Sequence, residues 1–347
     1  QETRPGVYTL NGVAATTPQQ IAIAQASLNN VSGQVPDTVK NYVQGLPITN
    51  ATINALDPRF KIPAEWRATL SGDYKANLGP LGDGWDFGAD FFYTSTIHGL
   101  GFYDARSVPS GLTTPDGRPR YTSIDGTTLS DIILTNFDRG RSYIGVVRFD
   151  KKWDWGVSIG ASYTWEDAKD NAPATSSQAT SLYRYAVFDD PNLSAYGTSN
   201  DQIRWQVKWH VDFDHAFFGD YRTILSLFGT TQAGRPFSYT MAEQSSASRS
   251  PSFGTVLNTG NYLLYVPTGL NDPRVTYSDI DGSGNSVLAG QFDAYINGSV
   301  LKGYRGKIAP RNVDRSKSRT RLDLHIEQEI PTFLGRSRIA LFADVEN

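Results

Sequence analysis

The stretch Trp153 to Trp165, WDWGVSIGASYTW, restricts the fold more than any other part of this chain. From Trp155 onward every odd position is apolar or aromatic: Trp155, Val157, Ile159, Ala161, Tyr163 and Trp165. The even positions Gly156, Ser158, Gly160, Ser162 and Thr164 are small or hydroxylated. A period of two means a β-strand with one greasy and one polar face. Aromatic residues stand at both ends and small aliphatics in the middle, which suits a tilted crossing of a lipid core by ~10 residues. A long strand of a soluble sheet shows the same alternation, so the remaining chain has to decide.

The pattern recurs. Trp66, Ala68, Leu70, Gly72, Tyr74, Ala76 and Leu78 alternate with Arg67, Thr69, Ser71, Asp73, Lys75 and Asn77. The turn-rich GPLGDG at 79–84 leads to a return strand through Trp85, Phe87, Ala89, Phe91 and Tyr93. A third strand is expected over Asn136 to Asp150, followed by a tight turn at Lys151-Lys152. The fifth carries Ile203, Trp205, Val207, Trp209, Val211 and Phe213 against Arg204, Gln206, Lys208, His210 and Asp212. A sixth runs over Thr223 to Gly234, a seventh holds Leu322, Leu324 and Ile326, and an eighth starts at Ile339.

Short turns (79–84, 151–152, 216–220, 331–336) alternate with long polar loops (97–134, 168–199, 236–316). Up-and-down outer-membrane barrels have this asymmetry, whereas sandwiches use Greek-key connections. Strands of ~10–15 residues also exceed the soluble mode of ~5–6. The expected fold is all-β: an antiparallel up-and-down transmembrane β-barrel with long extracellular loops, of which this chain supplies about eight strands.

Residues 1–62 read as an extracellular loop region with short helices, and 63–347 as barrel. Thr17-Pro18-Gln19-Gln20 predicts a helix start, with Thr17 as N-cap and Gln20 closing a capping box. That helix is expected to reach Asn29, and Pro36 to Gln44 to form a second. The chain opens without Met and stops at Val345-Glu346-Asn347 inside an alternating pattern, so a fragment cut at both ends is expected.

Composition narrows the chemistry. Cysteine is absent, which removes disulfide, zinc-ribbon and thiol chemistry. A formal charge of −3 with scattered Lys and Arg gives no nucleic-acid footprint. Mean hydropathy of −0.39 is compatible with a barrel, because lipid-facing and lumen-facing residues average out along each strand.

Several segments resemble one family. Leu56-Asp57-Pro58-Arg59-Phe60-Lys61-Ile62-Pro63-Ala64-Glu65-Trp66, leading into a strand, is similar to a segment of TonB-dependent outer-membrane receptors. Within these, the resemblance is to Oar-like receptors, which often carry a carboxypeptidase-regulatory-like domain. Gly234-Arg235-Pro236-Phe237-Ser238-Tyr239, Leu264-Tyr265-Val266-Pro267-Thr268, Tyr304 to Asn312 (YRGKIAPRN) and Gln328-Glu329-Ile330-Pro331 look like the same group. The closing Phe342-Ala343-Asp344-Val345-Glu346-Asn347 resembles a penultimate-strand ending. The resemblance implies the C-terminal part of a 22-stranded barrel in the cell outer membrane. It also implies transport energised by the TonB complex through a plug upstream of this sequence, for an extracellular substrate it does not name. The rival expectation is a secreted or surface β-rich protein for carbohydrate binding or adhesion.

No nucleophile–base–acid arrangement stands out, so the chain reads as a non-enzyme. His98, His210, His215 and His325 are dispersed, with His210 and His325 at lumen-type positions. Asp279, Asp281, Ser283 and Asn285 resemble the start of a calcium loop, with Gly284 in the sixth position. Gly290 stands where such a loop needs its bidentate Glu, so a plain Asp/Gly turn is the default and Ca²⁺ the sole candidate cofactor. Gly234-Arg235-Pro236 and the basic run Arg311 to Arg321 are expected at the membrane rim, facing outer-membrane lipid and lipopolysaccharide.

Overall fold

A computed structural model describes residues 2–4, 7–10, 13–30, 34–45, 51–171, 176–241, 249–255, 261–277, 287–332, 335 and 337–347. Half of the structure is strand and 14 % helix, so the architecture is a mostly antiparallel β-sheet. Contacts divide it into two units, 1–51 and 52–347.

In the first unit, α1 (Pro18–Leu28) begins as the sequence predicts. The Gln20 amide donates to Thr17 Oγ1 at 3.2 Å, and Gln20 Oε1 accepts from the Thr17 amide at 3.2 Å. Asn29 caps the far end, and α2 spans Asp37–Gln44. Three short strands, Glu2–Arg4, Val7–Leu10 and Val13–Ala14, pair antiparallel.

The second unit is organised by eight strands: β1 (Ala64–Ala76), β2 (Trp85–Asp104), β3 (Arg141–Lys152), β4 (Val157–Asp170), β5 (Trp205–Phe218), β6 (Tyr221–Gln232), β7 (Arg319–Pro331) and β8 (Arg338–Val345). Each pairs antiparallel with the next, from β1 to β8 in chain order. Among the described residues β1 and β8 do not pair with one another, so the sheet is open at both edges.

Register shows what the meander achieves. Opposed residues of an antiparallel pair project to the same side. One row therefore reads Leu70, Phe91, Gly145, Trp165, Trp205, and another Tyr74, Phe87, Phe149, Ala161, Trp209, Gly229, Leu322. Nearer the short turns, Ile159, Val211, Leu227, Leu324 and Val345 line up. The apolar positions of all eight strands thus share one face. It is uncovered: Leu70 is 74 % exposed, Tyr74 69 %, Val147 55 % and Leu341 58 %.

Aromatic rings band both ends of that face. Trp85 lies 5.9 Å from both Trp153 and Phe149 near the short turns, and Phe213 lies 5.6 Å from Phe217. Towards the long connections Tyr93 and Tyr143 stand 5.1 Å apart, above Trp165 and Trp205. Lys151 falls in an apolar row, but its ammonium bends to the Asp83 carbonyl in the turn and lies 5.2 Å from the Trp153 ring. Its stem is buried while its charge reaches the polar end, as lysines do at an apolar–water boundary.

Three expectations need correction. Lys151 and Lys152 belong to β3, and the turn is Trp153–Gly156, where Gly156 takes φ +103° with Asp214 packed against it. The third strand does not start at Asn136: Asp131–Phe137 is a separate strand, antiparallel to the end of β2 and parallel to Ile53–Leu56. Gly99 and Gly101 read as loop, yet they belong to β2, because a Cβ at Gly99 would meet the Phe137 carbonyl at 2.7 Å.

The long connections also differ from the polar loops expected, for they hold the core. The largest fully buried side chains include Tyr183, Tyr262, Phe188, Phe253, Ile132, Ile296 and Leu301, none of them in the paired body of the wall. One cluster joins Phe102, Ile132, Tyr183, Ala186, Phe188, Phe253 and Tyr262, with α3 (Ala179–Arg184) packed on it. Another joins Val266, Ile296, Leu301 and Ala309 beneath α4 (Val287–Asn297).

Candidate functional site

Two surfaces carry charge and shape: the polar face of the wall and the folded connections at one end of it.

On the polar face, Arg148 crosses Gly88 to bind Asp73 and Asp90 of the two preceding strands. A Cβ at Gly88 would run into that guanidinium, which would have to shift to make room. His210 passes over Gly160, with Asp212 at 3.6 Å and Asp150 at 4.0 Å. His325 bonds Asp344 at 2.6 Å and faces Glu327 at 3.6 Å. Arg321 pairs with Asp323 at 2.9 Å. Such half-exposed pairs contribute ~0–1 kcal/mol each, so their meaning is location. They mark a wetted face directly behind an apolar one. His210 and His325 lie on the polar face of the strands, whereas His215 lies on the apolar side, 4.9 Å from the Phe217 ring.

Within the connections, buried polar groups are closely matched. Asp104 is fully buried and accepts from the Arg106 and Asp131 amides and from the Ser107 hydroxyl at 2.6 Å. Asn192 accepts from the Asp104 amide and the Tyr183 hydroxyl, and donates to the Asp104 and Ser107 carbonyls. Arg249 donates to the carbonyls of Thr127, Leu129 and Gly254, and burial lowers its pKa. Arg118 binds Asp116 and the Leu263 carbonyl, 4.8 Å from the Phe253 ring. Burial pushes Asp116 up, but hydrogen bonds from Arg118 and Thr114 outweigh it and hold the carboxyl low. Hydrogen bonds from Thr127 and Ser123, with Arg106 nearby, hold Asp125 well below the carboxylate range. Tyr121 is pushed up by burial and by Asp190.

The receptor-like segments prove to be ties within these folded connections, which form a cap at one end of the wall. Arg311 is almost wholly buried and donates to the Asp170 backbone and carboxylate and to Asn200, fastening the last connection to the end of β4. Asn312, at φ 55°, donates to the Thr198 carbonyl, and its amide donates to Ser238 Oγ. Gly234 has no room for a Cβ, which would strike the Ser316 carbonyl. Arg305 joins the Pro267 carbonyl to Asp293 of α4. Asp57 accepts from the Arg59 amide and Thr135 hydroxyl. Within the basic run Arg311 to Arg321, the first two arginines have protein partners. Arg311 is spent on protein carbonyls and carboxylates, and Arg315 on Gln202.

Asp272 offers a test. It accepts from the Thr268 and Arg274 amides, then from the Tyr265 hydroxyl and Thr268 Oγ1, and these bonds lower its pKa from 3.8 to about 2. A depressed folded-state pKa contributes stability above the unfolded value, and that contribution is lost as pH falls through the folded one. Pepsin cleavage within 264–277, normalised to an unfolded peptide, is expected to rise steeply as pH drops from 3.8 towards about 2. Asp272→Asn is expected to abolish the step. Cleavage independent of pH in that window sinks the assignment.

Asp279, Asp281, Ser283 and Asn285 lie outside the described residues. Among the described residues no group of three or more His, Asp or Glu side chains is arranged to hold a metal ion. The described residues also leave hollows between them. One is a polar cleft of about 480 Å³ between Glu65, Arg67, His98, Arg139 and Asp170. Another is a hollow of about 370 Å³ in the cap, with Phe253, Leu264, Phe292 and Arg274 on its walls. Sequence reasoning missed Asp104, Asn192, Arg118 and Arg249, isolated polar residues in polar loops that carry no periodic signal. Compared with family models and with curated proteins, the chain matches none.

Proposed function

We propose that the eight strands are a section of a transmembrane β-barrel in an outer membrane, with the apolar face towards lipid and the ion-paired face towards the lumen. The carrying observation is the continuous apolar face, uncovered and banded by aromatic rings at both ends. From Trp155 to Trp165, roughly ten residues at ~3.3 Å each and tilted by ~40°, the band is about 25 Å tall, the height of a barrel's lipid-facing belt. Isolated open edges are untenable in lipid, so the reading requires further strands on β1 and β8. The cap would stand on the outer side and form the mouth that receives substrate. Together with the receptor-like motifs, this supports TonB-dependent uptake or translocation as the activity, driven through a plug.

The test uses the absence of cysteine from these 347 residues, with any cysteine elsewhere in the full-length protein replaced by serine. Single cysteines are placed in the full-length protein at Ser177 in the cap or at Asp83 in a short turn. An impermeant maleimide added to intact cells is expected to label Ser177→Cys at once, and Asp83→Cys only after the outer membrane is breached. Inverse labelling overturns the orientation. A protein that stays in the aqueous phase without detergent favours the secreted binding or adhesion reading.

A further inference from the structure

Two cations and two glycines on the apolar face have no explanation within the wall. At the long-connection end one row reads Trp66, Ser95, Arg141, Lys169. Arg141 and Lys169 stand directly opposite one another, a like-charge placement that destabilises a sheet. Among the described residues neither has a carboxylate partner; the nearby Asp167 is held by Arg204 at 2.9 Å, and Asp170 by Arg311. The Arg141 guanidinium lies 5.7 Å from the Tyr143 ring, and that of Arg204 5.1 Å from Trp165.

Further towards the middle, Leu70, Phe91, Val147, Tyr163 and Trp165 border an apolar groove of about 650 Å³ with Gly72 and Gly145 in its floor. Glycine weakens a strand interior and usually marks a close approach by something else. Gly88 has Arg148 above it, Gly160 has His210 and Gly229 has Trp209. A Cβ at Gly72 or Gly145 would meet nothing within 4 Å. The missing side chains leave space that no part of the described chain fills.

We propose that this groove and cation pair bind an anionic, phosphate-bearing lipid of the leaflet on the cap side. The phosphate sits between Arg141 and Lys169, and an acyl chain lies over Gly145 and Gly72. The proposal rests on the membrane reading of the wall. Along β3 the cation row and the glycine row are about 13 Å apart, or ~10 Å along the membrane normal after tilt. A headgroup layer of roughly 5–8 Å above the hydrocarbon lies within reach of the long Arg141 and Lys169 side chains from that row. A neutral lipid or an apolar protein surface would fill the groove but leave the two cations desolvated and repelling, so the occupant has to bring negative charge.

The experiment places the full-length protein in phosphatidylcholine nanodiscs doped with lipid A and reads retained lipid by native mass spectrometry. Wild type is expected to retain lipid A selectively. The Arg141→Gln/Lys169→Gln double variant is expected to lose on the order of thirtyfold in retention. Gly145→Leu is expected to weaken retention with both charges intact, and Lys152→Gln at the opposite end to leave it unchanged. Should the double variant fold poorly, Lys169→Gln alone carries the charge test. Undiminished retention by the charge variants, or equal retention of dephosphorylated lipid A, overturns the phosphate site. Full retention by Gly145→Leu overturns the acyl groove. A protein that fails to enter the disc overturns the membrane reading, whereas one that enters without selectivity overturns this proposal alone.

Discussion

Arginine at Val207 or Ile159 is expected to destabilise the protein in a bilayer by ~2–4 kcal/mol, while arginine one residue away, at Gln206 or Ser158, has a much milder effect. Val207 lies between Tyr163 and Thr231, one row inside the Trp165–Trp205 band, and Ile159 lies beside Val211 nearer the middle of the belt. A guanidinium there either enters hydrocarbon or drags water after it. Ser158 lies on the other face with its hydroxyl 3.4 Å from the Asp212 carboxylate, so an arginine at that position gains a partner and stays wet. Reversible unfolding in lipid vesicles measures the contrast. Equal penalties on the two faces would contradict a wall with lipid on one side only.

Phe188→Ala is expected to unfold the cap and spare the wall. Its ring is fully buried, 5.3 Å from Tyr183 and 6.3 Å from Tyr262, and truncating such an aromatic costs ~3–5 kcal/mol. The Phe188 backbone also bonds both ways: its amide donates to the Asn261 carbonyl and its carbonyl accepts from Leu263 at 2.8 Å. Hydrogen exchange resolves local from global opening. Protection of the Ala195 and Leu263 amides is expected to fall by roughly a hundredfold or more, while that of Val147 and Val211 holds. Uniform loss along the chain, or none, would show that the cap has no core of its own.

These two experiments separate what the sequence discloses from what it hides. Wall strands announce themselves because a pleated strand between two media repeats every second residue, and the Trp205–Phe213 alternation needs no partner to be legible. Helix α1 is equally plain, since Thr17, Pro18 and Gln20 act within one turn. The cap is illegible for the opposite reason. Phe188 packs on Tyr262, and Arg311 reaches Asp170, across separations that leave no local period. Glycine misled in one place and informed in others: Gly99 serves close strand pairing, while Gly88 and Gly160 make room for side chains crossing from neighbouring strands. Receptor-like motifs were visible as strings, but their work as fasteners was not.

The Arg311–Asp170 tie also bears on the order in which the molecule assembles. Strands β1 to β6 form from neighbours in sequence except where the connections intervene, so much of that pairing is local and fast. Between β6 and β7 lies a connection of roughly eighty residues, whose closure costs entropy that rises only slowly with length but has to be met before pairing rewards it. Arg311 and Asn312 sit just ahead of β7 and dock on segments flanking β4 and β5. Docking them shortens the effective loop from the whole connection to the few residues before Arg319. The clasp that fastens the cap thereby delivers β7 to its register, and a slip in one becomes a kinetic fault in the other.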